Sequence, residues 1–141
     1  MSASYIDRIA EALHDGWWAA HRDAGHTLGP ERNREKKTHP HLVPWSACGL
    51  ENNNQDRFMA ALIIEYLRTR EREAPGYRPT DEELGEQIHN AFAEYAAVER
   101  PGHPEIGKTW QDHEGLDRAV HLAQAAHVLR MWETRPWKET K

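Results

Sequence analysis

Cysteine is almost missing: Cys48 stands alone in 141 residues, so no internal disulfide can form and a reducing compartment is expected. Long apolar runs are missing too. The longest strongly apolar stretch, Met59 to Ile64, falls far short of the roughly 20 residues a membrane-spanning helix needs. The first residues show no apolar signal-peptide core, and the expected location is cytoplasmic. A basic excess is absent as well. The net charge of -5 argues against general nucleic-acid binding, which needs a cationic footprint. No phosphate-loop or dinucleotide glycine pattern is present, and no His-Glu-x-x-His or Cys-x-x-Cys spacing. Ser46 and Cys48 lack a nucleophile-elbow or Cys–His signature around them. Asp81, Glu82 and Glu83 sit at a helix start, where capping and the helix dipole account for them. An enzyme, a cofactor and a metal site are therefore not expected.

What is there is aromatic and periodic. Six Trp and four Tyr offset a hydrophobic fraction of only 38%, and they predict an ordered core under a charged exterior. Ser4 followed by Asp7 reads as a helix cap, after which Ile6, Ile9, Leu13, Trp17 and Ala20 form one stripe and Gly25 stops the helix. From Gly25 to about Leu50 the prolines Pro30, Pro40 and Pro44 predict a stiff loop, with short strand pieces around Leu42-Val43. A second helix is expected from Asn52–Asn54 to about Glu73, with Phe58, Leu62, Ile63, Tyr66 and Leu67 facing inward. Thr80 and Glu83 open a third helix through Leu84, Ile88, Phe92 and Tyr95. A fourth runs from about Glu114 to Glu133, ended by Pro136.

The two halves, about 4–74 and 79–135, look related. His14 is answered by His89, Trp17 by Phe92, Trp45 by Trp110, and Asp56-Arg57 by Asp117-Arg118. The fold class expected is mostly α: tandem helix-loop-helix halves related by a pseudo-two-fold, with short β-hairpin pieces in the loops.

Gly29-Pro30-x-Arg32, then Lys37-x-His39-Pro40-x-Leu42-Val43-Pro44-Trp45, then Asp56-Arg57, follow a helix bearing Trp17 and Trp18. This succession resembles the ryanodine receptor repeat (RyR) domain family over roughly residues 5 to 70. The second half is similar only through His89, Trp110 and Arg118. The family usually carries aromatics where this chain has His26 and Leu28, and reads Leu-Pro-Glu near Cys48-Gly49-Leu50-Glu51. The resemblance implies a tandem helical fold without catalytic activity. It also implies a single module of the kind whose stand-alone prokaryotic and viral versions look like sensors or sequestering modules for nucleotide-derived signals, sometimes in anti-phage defence.

The residues themselves leave two readings. Arg32, Arg34, Lys36 and Lys37 form a basic loop that either holds phosphate or is a solvated charge run. Trp17 and Trp45 either stack on a base or fill the core, and Trp18, off the apolar stripe, is the better stacking candidate if exposed. A metal site among His26, His39 and His41 is disfavoured by Pro40 and the isolated cysteine. The reading adopted is a non-catalytic module for a small anionic ligand, a nucleotide or a derivative of one. Arg32 and Lys37 take phosphate, His39 hydrogen-bonds, Trp18 or Trp45 stacks, and Arg57 adds charge. The rival is a protein-interaction or assembly module, whose partner is a second copy or another chain.

Overall fold

The computed structural model describes residues 4–138 and is mostly helical. Helix α1 spans Tyr5–Asp23, α2 Leu50–Glu73, α3 Asp81–Glu99 and α4 Gly115–Leu129. Local chemistry sets several of these ends. The Ser4 hydroxyl accepts the Asp7 N–H at 3.2 Å, and the Thr80 hydroxyl accepts the Glu83 N–H at 3.1 Å. Gly25, at φ 92°, turns the chain out of α1 after Ala24. Helix α2 starts earlier than the asparagines suggested, because Gly49 at φ 91° swings the chain directly into Leu50. Helix α4 ends at Leu129, short of Glu133, and a 3₁₀ turn at Trp132–Thr134 folds Trp132 inward to 4% exposure.

Helix α1 packs against both α2 and α4, and α3 likewise lies against α2 and α4. One apolar cluster joins the two halves: Ile9 and Leu13 from α1, Met59, Ile63 and Leu67 from α2, Leu84 and Ile88 from α3, Ala125 and Val128 from α4. The inward face of α2 differs from expectation. Met59, Ile63 and Leu67 are buried, whereas Phe58 is 41% exposed and rests against Tyr95. A strict step of four puts those three on one line, and Phe58 lies one residue, about 100° of helix, off it.

The loop after α1 holds two strands, β1 at Thr27–Leu28 and β2 at Thr38–His39, and they pair in parallel. The hairpin expected there reduces to a single antiparallel bridge, with Asn33 and Thr38 exchanging two 3.0 Å backbone bonds. The strand lies four residues before Leu42-Val43, since the Pro40 and Pro44 nitrogens cannot donate to a ladder. Among the described residues the second loop has no strand; it carries 3₁₀ turns at Pro104–Gly107 and Trp110–Asp112.

The halves make matching contacts. His14 donates from Nε2 to the Val43 carbonyl at 2.6 Å, and His89 from Nε2 to the Lys108 carbonyl at 2.8 Å. Trp17 meets His39 edge-on at 4.8 Å, as Phe92 meets His103 at 5.0 Å. Arg57 covers the Trp45 ring and pairs with Asp7; Arg118 covers Trp110 and pairs with Glu82. No helix among the described residues is long and apolar enough to cross a membrane.

Candidate functional site

A cleft of about 680 Å³ opens between the proline-braced loop of the first half and the α3–α4 connection of the second. The loop reaches it because Lys37, at φ 54°, folds back and its ammonium donates to the Ala24 carbonyl at 3.2 Å, capping the end of α1. The Thr38 hydroxyl donates to the Glu31 carbonyl at 2.9 Å and tightens the bend that carries Arg32. Arg32 and Arg34 line the cleft from this bend, both without an ion-pair partner among the described residues. From the other wall come Arg100, bonded to Gln55 Oε1 at 3.1 Å, and Lys108, 3.7 Å from Asp117.

Histidine dominates the floor. Seven of the ten histidines line the cleft, so its charge depends on which of them take a proton at neutral pH. Burial, reinforced by His41, Arg32, His21 and His26, pushes His39 down to about 4. Burial also lowers His14, His21 and His103, against the Val43 and Trp17 carbonyls in the first two and the Glu105 charge in the third. These four rings are uncharged near pH 7, so the cationic side chains of the lining are Arg32, Arg34, Arg100 and Lys108, set against the carboxyls of Asp56, Glu105 and Asp117. His39 Nδ1 accepts the His41 backbone N–H at 3.1 Å, so its proton sits on Nε2 as a donor. Glu105 is held well below the carboxylate range: burial opposes ionisation, but His121, His113 and His89 overcome it.

Of the six residues singled out from sequence, Arg32 and His39 meet in the cleft. Lys37, Trp18, Trp45 and Arg57 are not among its lining residues. Lys37 is used as the helix cap just described. Trp18 is half-buried with its ring 5.9 Å from His14, and the half-buried Trp17 beside it forms the aromatic wall instead. The stripe that buries Ile9 and Leu13 meets the cleft at Trp17, and Ala20 beyond it is buried again. Trp45 is core: it is 9% exposed and its indole N–H reaches Asp56 at 3.2 Å. Arg57 is committed to Asp7 at 2.8 Å and to the Trp45 face at 5.0 Å. Arg57→Ala should therefore cost about 1 kcal/mol in urea denaturation through a half-exposed ion pair and one cation–π contact. It should leave cleft occupancy unchanged.

Arg100, Lys108, His103 and His121 gave no local signal, because they reach the cleft only by packing of α3 and α4 against α1. Four side chains of this half, His89, Glu105, His113 and His121, gather within 4.8 Å of one another.

No curated protein matches the chain. The family model described as RyR domain matches residues 2–71, which span α1, the strand pair that builds one cleft wall, and nearly all of α2. On that match the chain belongs to the RyR domain family.

Proposed function

We propose that the cleft binds a small anionic ligand, a nucleotide or nucleotide-derived signal, and that the module senses or sequesters it without transforming it. One observation carries this reading: Arg32 and Arg34, without ion-pair partners among the described residues, share a concave site with an aromatic wall, Trp17, and a neutral donor, His39. Phosphate suits the guanidinium fork, and a base suits a tryptophan face. The site volume lies within the range of about 300–1,000 Å³ usual for small-molecule pockets. Among the described residues that line the cleft, no nucleophile stands with an adjacent base and orienting group, which favours binding over catalysis.

The test is a thermal-shift screen of the purified protein with ATP, ADP-ribose, cyclic mononucleotides and cyclic dinucleotides. A ligand at a hundredfold excess over its dissociation constant raises stability by about 2.7 kcal/mol. Arg32→Ala should remove the shift and leave the unliganded melt nearly unchanged, since Arg32 is exposed. A screen without any shift, or a shift that survives both Arg32→Ala and Trp17→Ala, rejects the site and favours an assembly role.

A further inference from the structure

We propose that His89, Glu105, His113 and His121 form a structural Zn²⁺ site that ties the irregular α3–α4 connection to both flanking helices. The proposal does not depend on the anion reading. His89 comes from the middle of α3, Glu105 from the turn Pro104–Gly107, His113 from the end of the turn Trp110–Asp112, and His121 from the second turn of α4. Glu105 Oε1 lies 3.1 Å from His89 Nδ1, 3.0 Å from His113 Nε2 and 2.5 Å from His121 Nε2. The three histidines are 3%, 3% and 6% exposed.

The outward nitrogens decide what the cluster presents inward. His89 Nε2 faces the Lys108 carbonyl at 2.8 Å, and His113 Nδ1 faces the Thr109 carbonyl at 3.1 Å. His121 Nδ1 faces Gln124 Oε1 at 2.9 Å, and that amide is oriented by its own Nε2, which donates to the Leu13 carbonyl at 3.1 Å. All three partners are acceptors, so each outward nitrogen is held as a donor and the inward nitrogen, the one facing Glu105, is the one a cation would take. Three imidazole nitrogens and a carboxylate meet in one largely buried space. A divalent cation satisfies all four, and carbonyl-oriented imidazoles are the usual outer support of metal-bound histidine.

The donor set selects the ion. Three imidazoles and one carboxylate suit Zn²⁺ better than the oxygen-seeking Ca²⁺ or Mg²⁺. Bonds of about 2.0–2.1 Å in a tetrahedron place ligand atoms about 3.4 Å apart. The four donors are already within 4.8 Å, so small side-chain adjustments suffice. Four protein ligands leave no open position, which makes the ion a staple and not a catalyst. The first half lacks the set. Arg57 matches Arg118 at an offset of 61 (118 minus 57), which places Ala60 where the second half has His121. One ion per chain is expected.

The full chain, stripped with EDTA, would be titrated with Co²⁺ and with Zn²⁺ against a chromophoric chelator. One equivalent of Co²⁺ should give the intense visible bands of a tetrahedral site, bleached by one equivalent of Zn²⁺. His113→Ala and Glu105→Gln should each weaken Zn²⁺ binding by at least about a hundredfold. Gln124→Ala, which keeps all four ligands, should weaken it by about 10–100-fold, and His39→Ala should not change it. If Co²⁺ gives no tetrahedral bands, the four residues are a purely hydrogen-bonded cluster and the proposal fails. It fails equally if Zn²⁺ affinity is unaltered in His113→Ala and Glu105→Gln. Should either variant not fold, the wild-type Co²⁺ spectrum alone decides.

Discussion

Gly16→Ala is expected to destabilise the protein by about 3 kcal/mol or more, through overpacking at the α1–α4 crossing. A Cβ at Gly16 would lie 2.4 Å from Gln124 Cα, 2.6 Å from Gln124 N and 2.8 Å from the Ala123 carbonyl carbon. All three are backbone atoms, so no rotamer change relieves the contact; the helices must separate by about 1 Å to reach ordinary van der Waals distance. The intrinsic preference of a helix for alanine over glycine, up to about 1 kcal/mol, opposes this loss without cancelling it. Separation also moves Gln124, which orients His121 and bonds Leu13, so affinity for ligands of the cleft should fall along with stability. Gly107→Ala is the control, since no atom lies within 4 Å of its added Cβ. Urea midpoints at unchanged m-value would read both variants. A neutral or stabilised Gly16→Ala would mean that α1 and α4 do not approach this closely.

That crossing marks the limit of what the chain discloses before it folds. Ser4 and Thr80 announced their helices because a cap needs only three neighbouring residues. Ile9, Leu13, Ile63 and Ile88 were readable as core from spacing alone. The basic loop was visible as composition, and two of its arginines do line the cleft. Lys37 shares that composition, yet one residue in a left-handed backbone conformation turns its ammonium onto a helix end. Trp17, Trp18 and Trp45 are indistinguishable by type. Their roles follow from where the cleft opens along α1 and from the Asp56 carboxyl that claims the Trp45 indole. The histidine–glutamate cluster was silent because its intervals of 16, 8 and 8 residues (105 minus 89, 113 minus 105, 121 minus 113) come from four separate elements with no shared helical or strand period. Only the packing of α3, two 3₁₀ turns and α4 brings those four together.

Asp56→Asn is expected to stabilise the protein at pH 8 by about 2 kcal/mol and to change it little near pH 4. Burial pushes the Asp56 carboxyl up to about 7, and the hydrogen bond from Trp45 only partly offsets this. A folded-state value above the unfolded 3.8 means the native protein holds this proton more tightly. Its contribution to stability is thus complete below about pH 4 and is lost as the pH rises through 7. The full linkage is about 4 kcal/mol at about 1.36 kcal/mol per pH unit; the carboxyl borders the open cleft, so water screens it and about half is expected. Asparagine keeps an oxygen for the Trp45 indole N–H and never ionises. The lowered histidines act in the other direction: their contribution is present above about 6.5 and lost as the pH falls toward the value near 4 of His39. The two effects oppose each other over the same interval, about pH 4 to 7, so wild-type stability should vary less across it than that of the variant, which keeps only the histidine gain as the pH rises. An Asp56→Asn gain that is the same at pH 5 and pH 8 would show that the carboxyl titrates normally. The same substitution bears on function, because Asp56 lines the cleft beside the arginines proposed to hold an anion. Any nucleotide that shifts the wild-type melt should shift the variant further at pH 8, where the native carboxyl is charged, and equally at pH 5, where it is not.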